Sequence, residues 1–237
     1  MGKNSAVRRL DLGYFVRPAS EAGGPHPRVE PVLAYLVRHD SGLILFDTGM
    51  GDAGRETEVH YRPYRRALPA ALSASGVTLD DISMVVNCHL HFDHIGGNPL
   101  LGGKPILVQD VELSTARRGG YTAEELVDFP GATYEVVDGE AEIRPGIRIV
   151  PTPGHTQGHQ SLVVRQSDGT VVLAGQAHDF ASHFASEQLA RHAALHGAEQ
   201  PLPPYRPWLD RLADFDPRRV LFAHDCSVWE PPGTGGR

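Results

Sequence analysis

The chain of 237 residues has only two cysteines, Cys88 and Cys226, too few for a disulfide scaffold. It also lacks any apolar run of about 18 residues, the length of an ordinary transmembrane helix. Behind the basic residues of the opening MGKNSAVRRLDLGYF there is no apolar stretch of the kind a secretory signal carries. These absences predict a cytoplasmic chain with no membrane partner. Positive charge is short as well: 22 Lys and Arg stand against 29 Asp and Glu, a formal charge of −7. A nucleic-acid partner needs a concentrated basic surface, and the isolated pairs Arg8-Arg9, Arg65-Arg66, Arg117-Arg118 and Arg218-Arg219 do not make one. No repeat recurs at a fixed period. The reading is therefore a single domain over 1–237, with a core at about 10–230 and a flexible tail at 231–237.

What the chain has in excess is histidine, thirteen in all, and they are grouped. The segment NCHLHFDHIGG places His89, His91, Asp93 and His94 within six residues. Three imidazoles and a carboxylate on one loop can aim at overlapping points, and zinc takes such nitrogen and oxygen donors, usually four of them. His89 and His91 suit one ion, while Asp93 and His94 reach toward a second. A second motif, PTPGHTQGHQ at 151–160, puts His155 in a glycine-bearing turn from which it projects as a third imidazole for the first ion. His159, in the same turn, is read as supporting rather than ligating. His224 in FAHD gains weight because the cluster needs another donor.

The hydrophobic pattern sets these groups at strand ends. Residues 32–39 and 43–46 read as a hairpin through Asp40-Ser41-Gly42, and the second strand runs into Asp47-Thr48-Gly49. SMVVN is a short buried strand leading to His89, and PILVQ at 105–109 is another. Further strands are expected at 133–137, 140–144, 147–150, 161–166 and 170–174, with the segment 218–225 ending at His224. PASEAGGPHPRVEP reads as a loop. Pro63 and Pro69 rule out a long helix over 60–74, and Thr122 is the expected cap of a helix near 123–129. Helices are also expected over 186–196 and about 204–213. Sheets with outer helices satisfy this pattern.

Taken together, HLHFDH, PGHTQGH, FDTG at 46–49 and FAHD at 222–225 resemble the metallo-β-lactamase fold superfamily of hydrolases, and within it the N-acyl homoserine lactonases, over about residues 10–230. The resemblance implies an α/β protein, an αββα sandwich of two mixed sheets with metals at one edge. It implies His89, His91 and His155 on one ion, Asp93, His94 and His224 on the other, and Asp47 supporting the histidine loop. It further implies a lactone or other small ester as partner, opened by attack of a metal-bound hydroxide, with Asp93 orienting the nucleophile or shuttling a proton.

One position departs from that pattern. After VVLAG the family presents an aspartate that bridges both ions, and this chain has Gln176. Three arrangements follow: Gln176 binds an ion weakly, Asp179 takes over as ligand, or one site is weak or empty. Asp179, where the lactonases carry a tyrosine, is also a candidate catalytic group. His178 beside it joins or merely flanks the site. The cation is one or two zinc ions, with iron, manganese and cobalt open to the same ligands. Tyr61, Tyr64, Phe180 and the stretch 12–25 are candidate walls for an acyl chain, and Tyr205 is another phenol for the site. A glutathione-thioester hydrolase fits the same early motif, but Arg191, Arg206 and Arg211 make no obvious basic patch for it. A non-catalytic metal-binding module is a further rival. Monomer and homodimer read alike.

Overall fold

A computed structural model describes residues 6–198 and 202–232 of the chain. Of the tail expected to be flexible, 233–237 lie outside the described residues. Among the described residues, twelve strands form two sheets. The first holds β1 (Ala6–Arg17), β2 (Arg28–His39), β3 (Gly42–Phe46), β4 (Tyr64–Arg65), β5 (Ile82–Val86), β6 (Pro105–Gln109) and β7 (Thr133–Val137), in the order β4-β1-β2-β3-β5-β6-β7. The second holds β8 (Ala141–Arg144), β9 (Ile147–Pro151), β10 (Gln160–Gln166), β11 (Gly169–Leu173) and β12 (Pro217–Leu221), in the order β12-β11-β10-β9-β8. Both sheets mix parallel and antiparallel pairs.

Alternation along the strands builds the layers. On β2, Leu33, Tyr35 and Val37 face inward with Ile44, Phe46, Met84 and Val86, against Ile147, Ile149, Leu162, Val164 and Leu173 of the second sheet. Their neighbours Val32, Ala34 and Leu36 face the other way, onto Leu68 and Leu72 of the helix 68–73. The second sheet repeats the device. Val150, Val163, Val172 and Val220 pack outward on Phe184 of helix Ala181–His196 and on Leu209 and Leu212 of helix Trp208–Ala213. The result is helix, sheet, sheet, helix, the sandwich that the resemblance implies.

Several boundaries differ from expectation. The expected loop before Val32 contains a short helix at Ala19–Ala22 and the start of β2, whose Pro31 pairs with Tyr14. Thr122 does not cap the helix at Glu124–Val127: Ala123 occupies that position, and the Thr122 hydroxyl is buried without a partner. β12 ends at Leu221, so His224 stands in the loop beyond it.

The topology sends several strand ends to one edge. β3 and β5 run parallel in the first sheet, and β11 and β12 run parallel in the second. Asp47 follows β3, His89 follows β5, His155 follows β9, Gln176 follows β11 and His224 follows β12. The histidine loop is pressed against the turn after β3. A side chain at Gly96 would lie 1.8 Å from the Gly51 nitrogen, so only glycine fits that crossing.

Candidate metal centre

Two groups of donor atoms converge where these loops meet. Ring nitrogens of His89, His91 and His155 lie within 4.8 Å of one another, as do donors of Asp93, His94 and His224. His91 Nδ1 is 2.9 Å from His89 Nε2 and 3.1 Å from His155 Nε2, and His94 Nε2 is 3.2 Å from His224 Nε2. Asp93 Oδ2 lies 3.5 Å from His94 Nε2 and 3.4 Å from His224 Nε2.

The second ring nitrogen of two of these histidines, His94 and His224, is already committed. His94 Nδ1–H donates to Asp47 Oδ2 at 3.0 Å, and His224 Nδ1–H donates to the Pro31 carbonyl at 2.9 Å. Each bond fixes the tautomer and turns Nε2 toward the cluster, which is how ligating imidazoles are held. Asp47 also accepts the Cys88 backbone N–H at 2.8 Å and the Cys88 thiol at 3.1 Å. Glu112, 1% exposed, ties the surrounding loops together by accepting from Leu90 N–H, Thr156 Oγ1 and Tyr121.

His159 is excluded from ligation by its own bonds. Its Nε2 accepts the Gln176 backbone N–H at 3.1 Å, so Nδ1 carries the proton and donates to Thr152 Oγ1 at 2.8 Å. Asp179 stands outside every such group of converging donors among the described residues. Gln176 does reach the cluster: its Oε1 is 3.3 Å from His94 Nε2, and its Nε2 donates to Asp179 Oδ1 at 3.1 Å.

The electrostatics suit a cation. Burial opposes the charge of Asp93, but His94, His224 and His91 outweigh it and bring its carboxyl down to about 2. Burial likewise opposes a charged His94, yet the carboxylates of Asp93 and Asp47 push it up to about 9. Burial and the neighbouring rings of His91 and His94 press His155 down to about 3, and burial with His94 and His91 holds His89 well below the ordinary imidazole value. The His89 and His155 rings are thus held neutral, with lone pairs available, beside a point where the Asp93 and Asp47 carboxylates favour positive charge on His94. Three imidazole nitrogens at mutual contact cannot all satisfy one another by hydrogen bonding. One divalent cation among them can, so the residues fit the group.

A cavity of about 400 Å³ opens onto this cluster, lined by Phe15, Arg17, Tyr61, Phe92 and Tyr121 and by the site residues His91, Asp93, His155 and Gln176. A second cavity, about 470 Å³, shares His155 and Gln176 and is lined further by His178, Asp179, Glu187 and Arg206. Of the walls expected from sequence, Tyr61 and the stretch holding Phe15 line the first cavity. Tyr64 instead stacks on Tyr14, Phe180 lies under the Arg28 guanidinium at 4.4 Å, and Tyr205 packs in the outer layer. His178 flanks the site between Phe184 and Trp208. Sequence reasoning missed Tyr121, and took in Arg17 only as part of the stretch 12–25 without singling out its guanidinium, whose Nε donates to the buried Glu30 at 2.8 Å. No local signal marks either one, since both reach the cavity through tertiary pairing.

Comparison with known proteins agrees with this geometry. An N-acyl homoserine lactonase of Bacillus sp is 32% identical over 170 residues, which is 66% of this chain and 68% of the relative. The N-acyl homoserine lactonase AiiB of Agrobacterium fabrum is 32% identical over 189 residues, with 66% and 68% covered. The solved structure of an N-acyl homoserine lactone hydrolase, with the product N-hexanoyl-L-homoserine bound at its catalytic metal centre, superposes with a TM-score of 0.76. It is 25% identical, and the match covers 95% of each chain. Residues 27–224 match the Metallo-beta-lactamase superfamily; that span begins beside β2 and ends on His224, taking in both donor groups, and this chain belongs to that superfamily.

Proposed function

We propose that the chain is a metal-dependent hydrolase that opens the ring of an N-acyl homoserine lactone, with zinc as its resident cation in one or both donor groups. The observation that carries the reading is the convergence of His89, His91 and His155, and of Asp93, His94 and His224, with His91, Asp93 and His155 lining a cavity that has aromatic walls. Relatives sharing a third of their residues over two-thirds of their length are N-acyl homoserine lactonases. A divalent cation bound there lowers the pKa of a water toward neutrality and polarises a carbonyl oxygen.

The chain's own residues supply the remaining work. Asp93, ionised and 5% exposed, is a fixed acceptor that can orient a water and take its proton. Phe15, Tyr61, Phe92 and Tyr121 offer flat apolar surface for an acyl chain. Arg17, anchored on Glu30, brings hydrogen-bond donors to the same cavity and suits a substrate amide or carbonyl oxygen.

The test is the metal content of freshly purified protein, paired with hydrolysis of N-hexanoyl homoserine lactone by the same sample. Bound metal, turnover lost on chelation and turnover restored by zinc are the expected results. Protein that is fully metal-loaded and hydrolyses a thioester or a simple ester but no lactone refutes the substrate.

A further inference from the structure

The family resemblance leads one to expect an aspartate where Gln176 stands, and the neighbourhood of Gln176 is arranged around that difference. Its backbone is pinned. The Gln176 N–H donates to His159 Nε2 at 3.1 Å, and the preceding Gly175 carbonyl accepts from Ala223 N–H at 2.9 Å. Gly175 adopts φ +57, and a side chain there would lie 2.5 Å from Cys88 Cβ. Only the side-chain rotation of Gln176 is left to set, and at 4% exposure water has little access to set it.

The two ends of a carboxamide are nearly equal in size, so hydrogen-bond partners decide which way it faces. At 3.1 Å from Asp179 Oδ1 stands Gln176 Nε2; at 3.3 Å from His94 Nε2 stands Gln176 Oε1. An ionised carboxylate only accepts, so Asp179 takes the amide N–H and the oxygen is turned to the cluster. The flipped amide would set two oxygens against each other at Asp179 and aim N–H donors at the cation site.

We propose that Asp179 is a positioning residue that holds the Gln176 amide with its oxygen, not its nitrogen, toward the cation site. The inference rests on the metal-hydrolase reading above. It makes Gln176 a neutral oxygen donor and moves the negative charge one step back, to a carboxylate that acts through the amide. The three-histidine group then has no anionic ligand, whereas its neighbour has Asp93, and the two groups hold their cations unequally.

The experiment loads the full chain with cobalt(II) and challenges it with graded chelator, following the visible absorption of the bound metal. Wild type is compared with Asp179→Ala, Asp179→Asn, Gln176→Asp and the double variant Gln176→Asp/Asp179→Ala, each checked for an unchanged far-ultraviolet spectrum. Asp179→Ala is expected to loosen the more weakly held cobalt by about tenfold and to alter its absorption bands. Asp179→Asn, which keeps an acceptor, recovers part of the loss. With an aspartate at 176 there is no amide to orient, so adding Asp179→Ala changes retention by no more than about twofold. Equal loosening by Asp179→Ala in both backgrounds overturns the proposal, because charge at a distance would then explain everything. Wild-type retention in Asp179→Ala overturns it too. Wild-type protein that takes up no cobalt overturns it together with the metal-hydrolase reading. Lactone turnover is not read, so failure of the substrate assignment alone does not touch the result.

Discussion

Asp47→Asn and Asp47→Ala separate the charge of this buried aspartate from its acceptor count. Asp47 is 1% exposed and follows β3 in left-handed backbone at φ 62, a region that Asp and Asn enter more readily than other residues with a side chain. It accepts three donors: Cys88 N–H, the Cys88 thiol and His94 Nδ1–H. Asparagine keeps one oxygen for the Cys88 N–H and turns an amide nitrogen toward His94. The charge-assisted bond to His94 is lost, at about 1.5–3 kcal/mol. At about 1.4 kcal/mol per tenfold, that is roughly 10- to 100-fold weaker retention of a cation by Asp93, His94 and His224. Alanine removes the shared acceptor of all three donors, although the Cys88 thiol keeps another neighbour, His89 Nδ1 at 3.2 Å. At about 1–3 kcal/mol each, the loss approaches the whole stability of a domain, about 5–15 kcal/mol. Competition against a chromogenic chelator reads the first variant, and the urea midpoint reads the second. An asparagine variant with wild-type metal retention, or an alanine variant with an unchanged midpoint, refutes the reasoning.

Gly96→Ala is expected to destabilise by about 3 kcal/mol or more, because the added carbon meets backbone atoms of Met50 and Gly51 that cannot swing away. Gly24→Ala, with nothing within 4 Å of the new carbon, serves as the control and should stay within about 0.5 kcal/mol of wild type; equal thermal midpoints for the two would count against the crossing described. Burial opposes ionisation of Glu187, but its hydrogen bonds from the Arg206 side chain and backbone win and hold its pKa below the ordinary 4.5. The sign follows from linkage: this contribution is complete above the unfolded value and lost as pH falls through the lower folded one. Arg206→Met should therefore flatten the fall in melting temperature between about pH 5 and about pH 3, and identical slopes in variant and wild type would contradict that.

The donor set was largely legible in the sequence because its members are crowded on one loop or sit at strand ends, where alternation of apolar residues already marks the boundary. His89, His91, Asp93 and His94 advertise themselves by spacing, and His155 by its glycine-bearing turn. His224 was legible only in company, since one histidine after a strand has many ordinary uses. Arg17 was legible only as a member of the stretch 12–25, not as a donor to the cavity. Its approach to the cavity depends on the long antiparallel pairing of β1 with β2 and on Glu30, and neither leaves a local trace. Tyr64 and Phe180 were misread as walls for the same reason: an exposed aromatic and a cavity aromatic look alike until partners such as Tyr14 and Arg28 are known. The orientation of Gln176 needs the position of Asp179 in space, although only three residues separate them.

The meeting of strand ends from both sheets has a consequence for the order in which the protein acquires its chemistry during synthesis. His89, His91 and His155 leave the ribosome well before His224, and the last of these reaches the cluster only when β12 has paired with β11 and carried the loop to Pro31. A nascent chain can therefore assemble the three-histidine group while the other still lacks a ligand. Pairings between distant segments form slowly, and a cation captured early by three neutral rings would be held loosely enough to leave again. Metal loading of the second group reports the docking of the final strand, and cobalt spectra taken during refolding would time that event.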